Sequence, residues 1–189
     1  MTGKLIIICA PSGAGKTTIV RHILENIPGI EFSVSATNRS KRHNEVNGVD
    51  YYFIETDEFL KKIAASEFLE WEEVYPGTFY GTLQSEINRI WNRGNHVIFD
   101  VDVEGGLNIK RHFNDRALLV FVMPPSIEIL TERLRKRATE NEKSFEVRVN
   151  KARKEMEYSV HADKILINDK LEDSLPEALK MIEAFLNES

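Results

Sequence analysis

Lys16 and Thr17 are the residues from which chemistry is most readily argued. They follow Ala10-Pro11-Ser12-Gly13-Ala14-Gly15, a run of small residues, and precede Thr18. In such a loop, small residues let successive backbone N–H groups turn inward around a phosphate. A helix opening behind it adds the partial positive charge of its N-terminus. The lysine then reaches the β- and γ-phosphates, and the hydroxyl sits on Mg²⁺. Ala10 stands where the usual pattern has glycine, a slot that accepts any small residue. The stretch predicts binding of a nucleoside triphosphate.

Other charged residues could complete that chemistry. Asp100 ends the apolar run His96-Val97-Ile98-Phe99. There a carboxylate can meet the metal beside the phosphate loop, directly or through water. Asp102 follows on the same side. Arg39-Ser40-Lys41-Arg42 places two arginines three apart, able to fork onto one phosphate group; a solvated charge run is the bland alternative. Arg133 and Arg137 are four apart, on one helix face, and lead toward Arg148. They fit a flap that delivers positive charge to phosphates, or a surface helix salt-bridged through Glu132. Phosphoryl transfer asks for positioning and charge neutralisation more than covalent chemistry, so none of the five histidines is required.

The elements that must hold these residues read as alternating strands and helices. Leu5–Ile8 is an apolar strand, and Ile19, Val20, Ile23, Leu24 and Ile27 share one face of the helix after the loop. Further apolar strands are expected at 97–99, 118–122 and 165–167, separated by helices, the signature of a parallel sheet covered on both faces. Between them, 36–81 breaks the rhythm. It reads as a polar loop from Ala36 to Asp50, a strand over Tyr51–Ile54, a helix from Thr56 to about Ala65 and a strand over Phe68–Tyr75. Thr82 is expected to cap the next helix. Ser174-Leu175-Pro176-Glu177 is expected to form a capping box that starts the terminal helix.

Composition sets bounds. A chain of 189 residues, 42% hydrophobic and 29% charged, is one domain's worth of an ordinary globular protein. The single cysteine, Cys9, precludes a disulfide framework and points to a reducing cytoplasm. Met1-Thr2-Gly3-Lys4 runs straight into the first strand, which predicts no signal peptide, and no apolar run approaches membrane-spanning length. A net charge of −5 argues against a nucleic-acid polymer as partner.

Several motifs in sequence order carry a resemblance: S-A-T-N-R-S-K-R-H-N-E-V-N-G-V-D-Y-Y-F, then F-L-E-W, Y-G-T, I-F-D-V-D and P-P-S. Together with the phosphate loop, they resemble the guanylate kinase family over nearly the whole chain. Lys41 and Asn44 depart from it, where the family often has proline and glycine. The resemblance implies an α/β fold of the P-loop NTPase type, with a parallel sheet flanked by helices on both faces. It divides the chain into a core (1–35, 82–125 and 160–189), an inserted mixed α/β lobe for the nucleoside monophosphate (36–81) and a helical lid (126–159). It also implies transfer of the γ-phosphate of ATP to GMP, with Mg²⁺ accompanying the ATP. Ser35, Arg39, Arg42, Tyr51 and Tyr80 resemble the family's GMP phosphate site, and Glu70 and Thr82, beside Gly81, its guanine readers. Asp100 and Asp102 resemble residues at the metal and acceptor junction. Arg133, Arg137 and Arg148 are similar to the clamping arginines, and Asn168 to a residue near the adenine. Two rivals stay open: a phosphopeptide-binding domain of this shape that catalyses nothing, and a kinase for another nucleoside monophosphate. The absence of an N-K-x-D motif disfavours a GTPase.

Overall fold

Apolar runs alternating with amphipathic stretches fold here as α/β structure. The computed structural model describes residues 3–137 and 142–188, without the side chains of 137 and 142–144. In chain order they form β1 (Leu5–Cys9), α1 (Lys16–Asn26), β2 (Ile30–Phe32), β3 (Ala36–Thr37), β4 (Tyr52–Phe53) and α2 (Thr56–Ala64). Next come β5 (Phe68–Tyr75), β6 (Thr78–Leu83), α3 (Gln84–Trp91), β7 (His96–Asp100), α4 (Val103–Phe113) and β8 (Ala117–Met123). The last are α5 (Ile127–Arg137), α6 (Glu142–Glu157), β9 (Lys164–Ile167) and α7 (Leu171–Asn187). The chain divides into two compact units, Met1–Gly3 with Gly29–Phe99, and Lys4–Pro28 with Asp100–Ser189.

The second unit carries the parallel strands β1, β8 and β9. β1 runs alongside β8 from Leu5↔Ala117 to Cys9↔Phe121, and β8 alongside β9 from Val120↔Lys164 to Met123↔Ile167. All five residues of β1 are buried, as strands covered on both faces should be. β9 is less covered, with Ile165 and Ile167 exposed. Helices flank the strands: α4 packs on β1 and β8, α1 on β1 and α7, and α7 on β9. Ile19, Val20 and Ile23 are the buried face of α1. Leu130, Leu134 and Ala152 join α5 to α6.

The first unit pairs β2 parallel with β7 and holds a four-stranded mixed sheet, β4-β3-β6-β5. β3 is parallel to β4 and antiparallel to β6, and β5 and β6 form an antiparallel hairpin. Phe59 of α2 is fully buried, its ring stacked on Phe68 at 4.4 Å and Phe79 at 5.5 Å. Burying one such side chain contributes about 2–3 kcal/mol.

Three expectations need correction. The loop expected over 36–50 begins with strand β3, because Ala36 and Thr37 find partners on both sides, in β4 and β6. Thr82 does not cap a helix; it lies in β6, where it pairs with Glu70, and the extended residue before α3 is Leu83. Ser174 does not start the terminal helix. α7 begins at Leu171, with Glu172 and Asp173 in its first turn, and the Ser174 hydroxyl donates to Asn168 Oδ1 at 2.8 Å instead.

Candidate active site

In the second unit the loop between β1 and α1 wraps back on itself. The Ala14 amide donates to the Pro11 carbonyl at 3.1 Å, and α1 opens from Gly15. Gly15 has φ +94°, a left-handed conformation that side chains rarely adopt, and a Cβ there would run into the Asn168 amide. That amide donates to the Ala14 carbonyl at 2.7 Å. Asn168 thus braces the loop from β9's end, and its side-chain oxygen is taken by Ser174.

Lys16 points from the start of α1 toward the end of β7. Its Nζ lies 2.7 Å from Asp100 Oδ1 and donates to the Val101 carbonyl at 2.6 Å. Burial works against the charged ammonium, but the Asp100 carboxylate outweighs it and holds the lysine pKa above its ordinary value. Thr17 Oγ1 is 3.4 Å from the other Asp100 oxygen. Asp102 caps α4, accepting from the Gly105 amide at 2.9 Å. Burial pushes the Cys9 thiol up to about 12, so the one cysteine beside this loop is no nucleophile.

The arginines expected to clamp phosphate are placed differently from one another. Arg133 donates to the carbonyls of Asn168 at 2.9 Å and Asp169 at 3.0 Å. Glu132, its neighbour in sequence, bonds Lys136 at 2.7 Å. Arg148 is partly buried on α6. The side chain of Arg137 lies outside the described residues.

The first unit gathers a second set. The Arg39 guanidinium sits over the Tyr51 ring at 5.0 Å and donates through Nε to the Tyr80 hydroxyl at 3.0 Å. The two tyrosine rings meet edge to face at 5.8 Å. Both terminal nitrogens of Arg39 grip Glu45, at 2.7 and 2.6 Å, and the Arg42 amide donates to the same carboxylate at 2.8 Å. The Arg39 hydrogen bonds hold the Glu45 carboxyl down at about 2. Ser35 is joined to the neighbour of Tyr51: the Tyr52 amide donates to the Ser35 carbonyl at 2.9 Å.

Glu70 and Thr82 stand directly opposite one another across β5 and β6. Residues so paired share a face, with Cβ atoms roughly 5 Å apart. Thr82 is fully buried, and its hydroxyl is one of the buried polar atoms with no hydrogen-bond partner among the described residues. Gly81 permits this pairing: a Cβ there would press on the Glu70 carbonyl at 2.8 Å and on Trp71 Cβ at 2.9 Å. Glu72, two residues from Glu70, faces Tyr80.

Sequence reasoning, through the resemblance, grouped Ser35, Arg39, Arg42, Tyr51 and Tyr80, of which the structure brings Arg39, Tyr51 and Tyr80 into contact, and it grouped Lys16 and Thr17 with Asp100, which both approach. It missed Glu45, whose one signal was an acid inside a basic loop, and the Val101 carbonyl, which no side-chain pattern could reveal.

Comparison with known proteins gives a consistent picture. The guanylate kinase family model matches residues 2–185. A guanylate kinase of Bacteroides thetaiotaomicron is 46% identical over 187 residues, covering 99% of this chain and 92% of that relative. One of Salinibacter ruber is 45% identical over 184 residues, covering 97% of each. The crystal structure of guanylate kinase from Anaplasma phagocytophilum superimposes with a TM-score of 0.80 at 25% identity, covering all of this chain and 88% of that one.

Proposed function

The chain belongs to the guanylate kinase family, and from that premise we propose that it transfers the γ-phosphate of ATP to GMP, giving ADP and GDP. ATP is the donor on the loop 10–18, and GMP the acceptor on the first unit. The observation that supports the acceptor's identity is the placement of Glu70 opposite Thr82, whose buried hydroxyl has no hydrogen-bond partner among the described residues. Guanine presents two adjacent donors, N1–H and the 2-amino group, which one carboxylate accepts together, and an O6 acceptor that a hydroxyl can satisfy. Adenine offers neither match on that edge.

The chain's own residues divide the work. Lys16 neutralises charge on the donor phosphates and is already held charged by Asp100. Arg39, with Tyr51 and Tyr80, receives the acceptor phosphate, and Ser35 and Arg42 complete that site. Asp102, Arg133, Arg137 and Arg148 are the further candidates for orienting the two phosphates. Thr17 and Asp100, a hydroxyl and a carboxylate 3.4 Å apart, are hard oxygen donors suited to Mg²⁺ and would hold it. That ion would supply charge neutralisation on the triphosphate. No nucleophilic side chain is needed, in keeping with a Cys9 that stays a thiol.

On this reading the division of labour is that of a phosphate-donor core, a monophosphate lobe over 36–81 and a lid over 126–159. The protein would act in purine nucleotide metabolism in the cytoplasm. Among the described residues, no helix is long and apolar enough to cross a membrane. The test is a coupled ADP-release assay with ATP against GMP, AMP, UMP and dTMP. Turnover with GMP far above the other three is expected. A preference for another acceptor, or no turnover with any, overturns the reading.

A further inference from the structure

Glu86, on α3, is a carboxylate buried to 3% exposure. Its two oxygens collect donors from three places in the first unit. The Val34 amide donates to Oε1 at 3.2 Å and the Tyr52 hydroxyl to Oε2 at 3.2 Å. Arg89, one turn along α3, donates to both oxygens at 2.8 and 3.0 Å. Val34 is followed by Ser35, and Tyr52 is preceded by Tyr51. One buried group thus holds the immediate neighbours of two residues assigned to the acceptor phosphate. The bond from the Tyr52 amide to the Ser35 carbonyl closes the same ring.

Taking a carboxylate out of water is costly, and an apolar side chain packs a helix onto a sheet at less expense. What an apolar side chain cannot do is fix the direction of an amide and a phenol at once. We propose that Glu86 is a positioning residue for the acceptor phosphate, acting through Val34 and Tyr52 to set Ser35 and Tyr51. The inference rests on the reading of the first unit as the GMP site. Burial opposes ionisation of Glu86, but the Arg89 bonds outweigh it and keep the carboxyl below its ordinary pKa, so the acceptor geometry persists at neutral pH.

The mechanism makes an unusual demand, since only the phosphate end of the ligand should register the change. Binding of GMP and of guanosine is measured by calorimetry for the wild-type chain, Glu86→Gln and Tyr52→Phe, with thermal unfolding to confirm that each is folded. Both variants should weaken GMP binding roughly tenfold and leave guanosine binding unchanged, the loss expected when a partner of a buried polar group is removed. The double variant should be no worse than Glu86→Gln alone, because the two residues act along one path. Equal weakening of GMP and guanosine would mean a structural role and overturn the proposal, as would an unchanged GMP affinity. If Glu86→Gln does not fold, Tyr52→Phe, which removes a single hydroxyl, decides by the same criterion. A wild-type chain that binds neither ligand would instead defeat the GMP reading, and the proposal with it.

Discussion

Arg39 closes both terminal nitrogens of its guanidinium on Glu45, at 2.7 and 2.6 Å, while its Nε donates to the Tyr80 hydroxyl. A bidentate fork of this kind suits a phosphate as well as a carboxylate. The chain's own acid therefore sits on the group assigned to the acceptor phosphate, and an arriving phosphate must share Arg39 with it or displace it.

The same contact has a measurable dependence on pH. The Arg39 bonds lower Glu45 from 4.5 to about 2 in the folded chain. A lowered folded pKa contributes stability above the unfolded value, and that stability is lost as pH falls from 4.5 toward 2. Glu45→Gln should therefore cost roughly 2 kcal/mol at neutral pH and almost nothing near the bottom of that window. Thermal unfolding of both proteins across the range checks it. A gap in Tm that stays constant down to acid pH would contradict the assignment.

Lys16 gives the second prediction. Its ammonium is held between Asp100 and the Val101 carbonyl, aimed from the start of α1. Lys16→Ala should lower kcat by about 10²–10³, the usual loss for one preorganised charge contact, with GMP affinity retained. A folded variant with near-normal turnover would exclude the assignment of Lys16 to the donor phosphates.

Much of this arrangement could be read from the sequence because local signals agreed. Small residues followed by Lys16 and Thr17, with β-branched Ile6–Ile8 before and a helical apolar face after, fixed a strand, loop and helix that the structure contains. Residues Phe68–Tyr75 form a strand with the bounds their pattern suggested, and the apolar runs 97–99 and 165–167 lie within the slightly longer β7 and β9. The readings failed where one residue type serves two structures. Thr82 suits a helix cap and a strand equally, and only its pairing with Glu70 decides; the Pro76-Gly77 turn before an aromatic run was the signal for a hairpin. Ser174 matched a capping box, but a helix already begun at Leu171 left its hydroxyl to Asn168. Glu45 and Glu86 were invisible as partners because their contacts depend on loop path and tertiary packing.

Base choice is the third prediction. Glu70 is opposite Thr82, whose hydroxyl has no hydrogen-bond partner among the described residues, whereas Glu72, on the same side, is opposite Tyr80. Glu70→Ala should raise the KM for GMP and cut kcat/KM steeply, with the KM for ATP nearly unchanged. Sites that read substrate donors with buried polar groups discriminate by up to about 10⁴–10⁵. Glu72→Ala should do little. Equal and small effects from the two substitutions would remove guanine recognition from this strand pair.

The central claim is that a phosphoryl group passes from ATP to GMP. Phosphorus NMR follows it directly in a mixture of the chain, ATP, GMP and Mg²⁺. The γ-phosphate signal of ATP should decline as the β-phosphate signals of ADP and GDP grow in equal amounts. Inorganic phosphate should stay at the level of a control without protein. Growth of inorganic phosphate in place of GDP, or an unchanged spectrum at saturating nucleotide, would contradict the account.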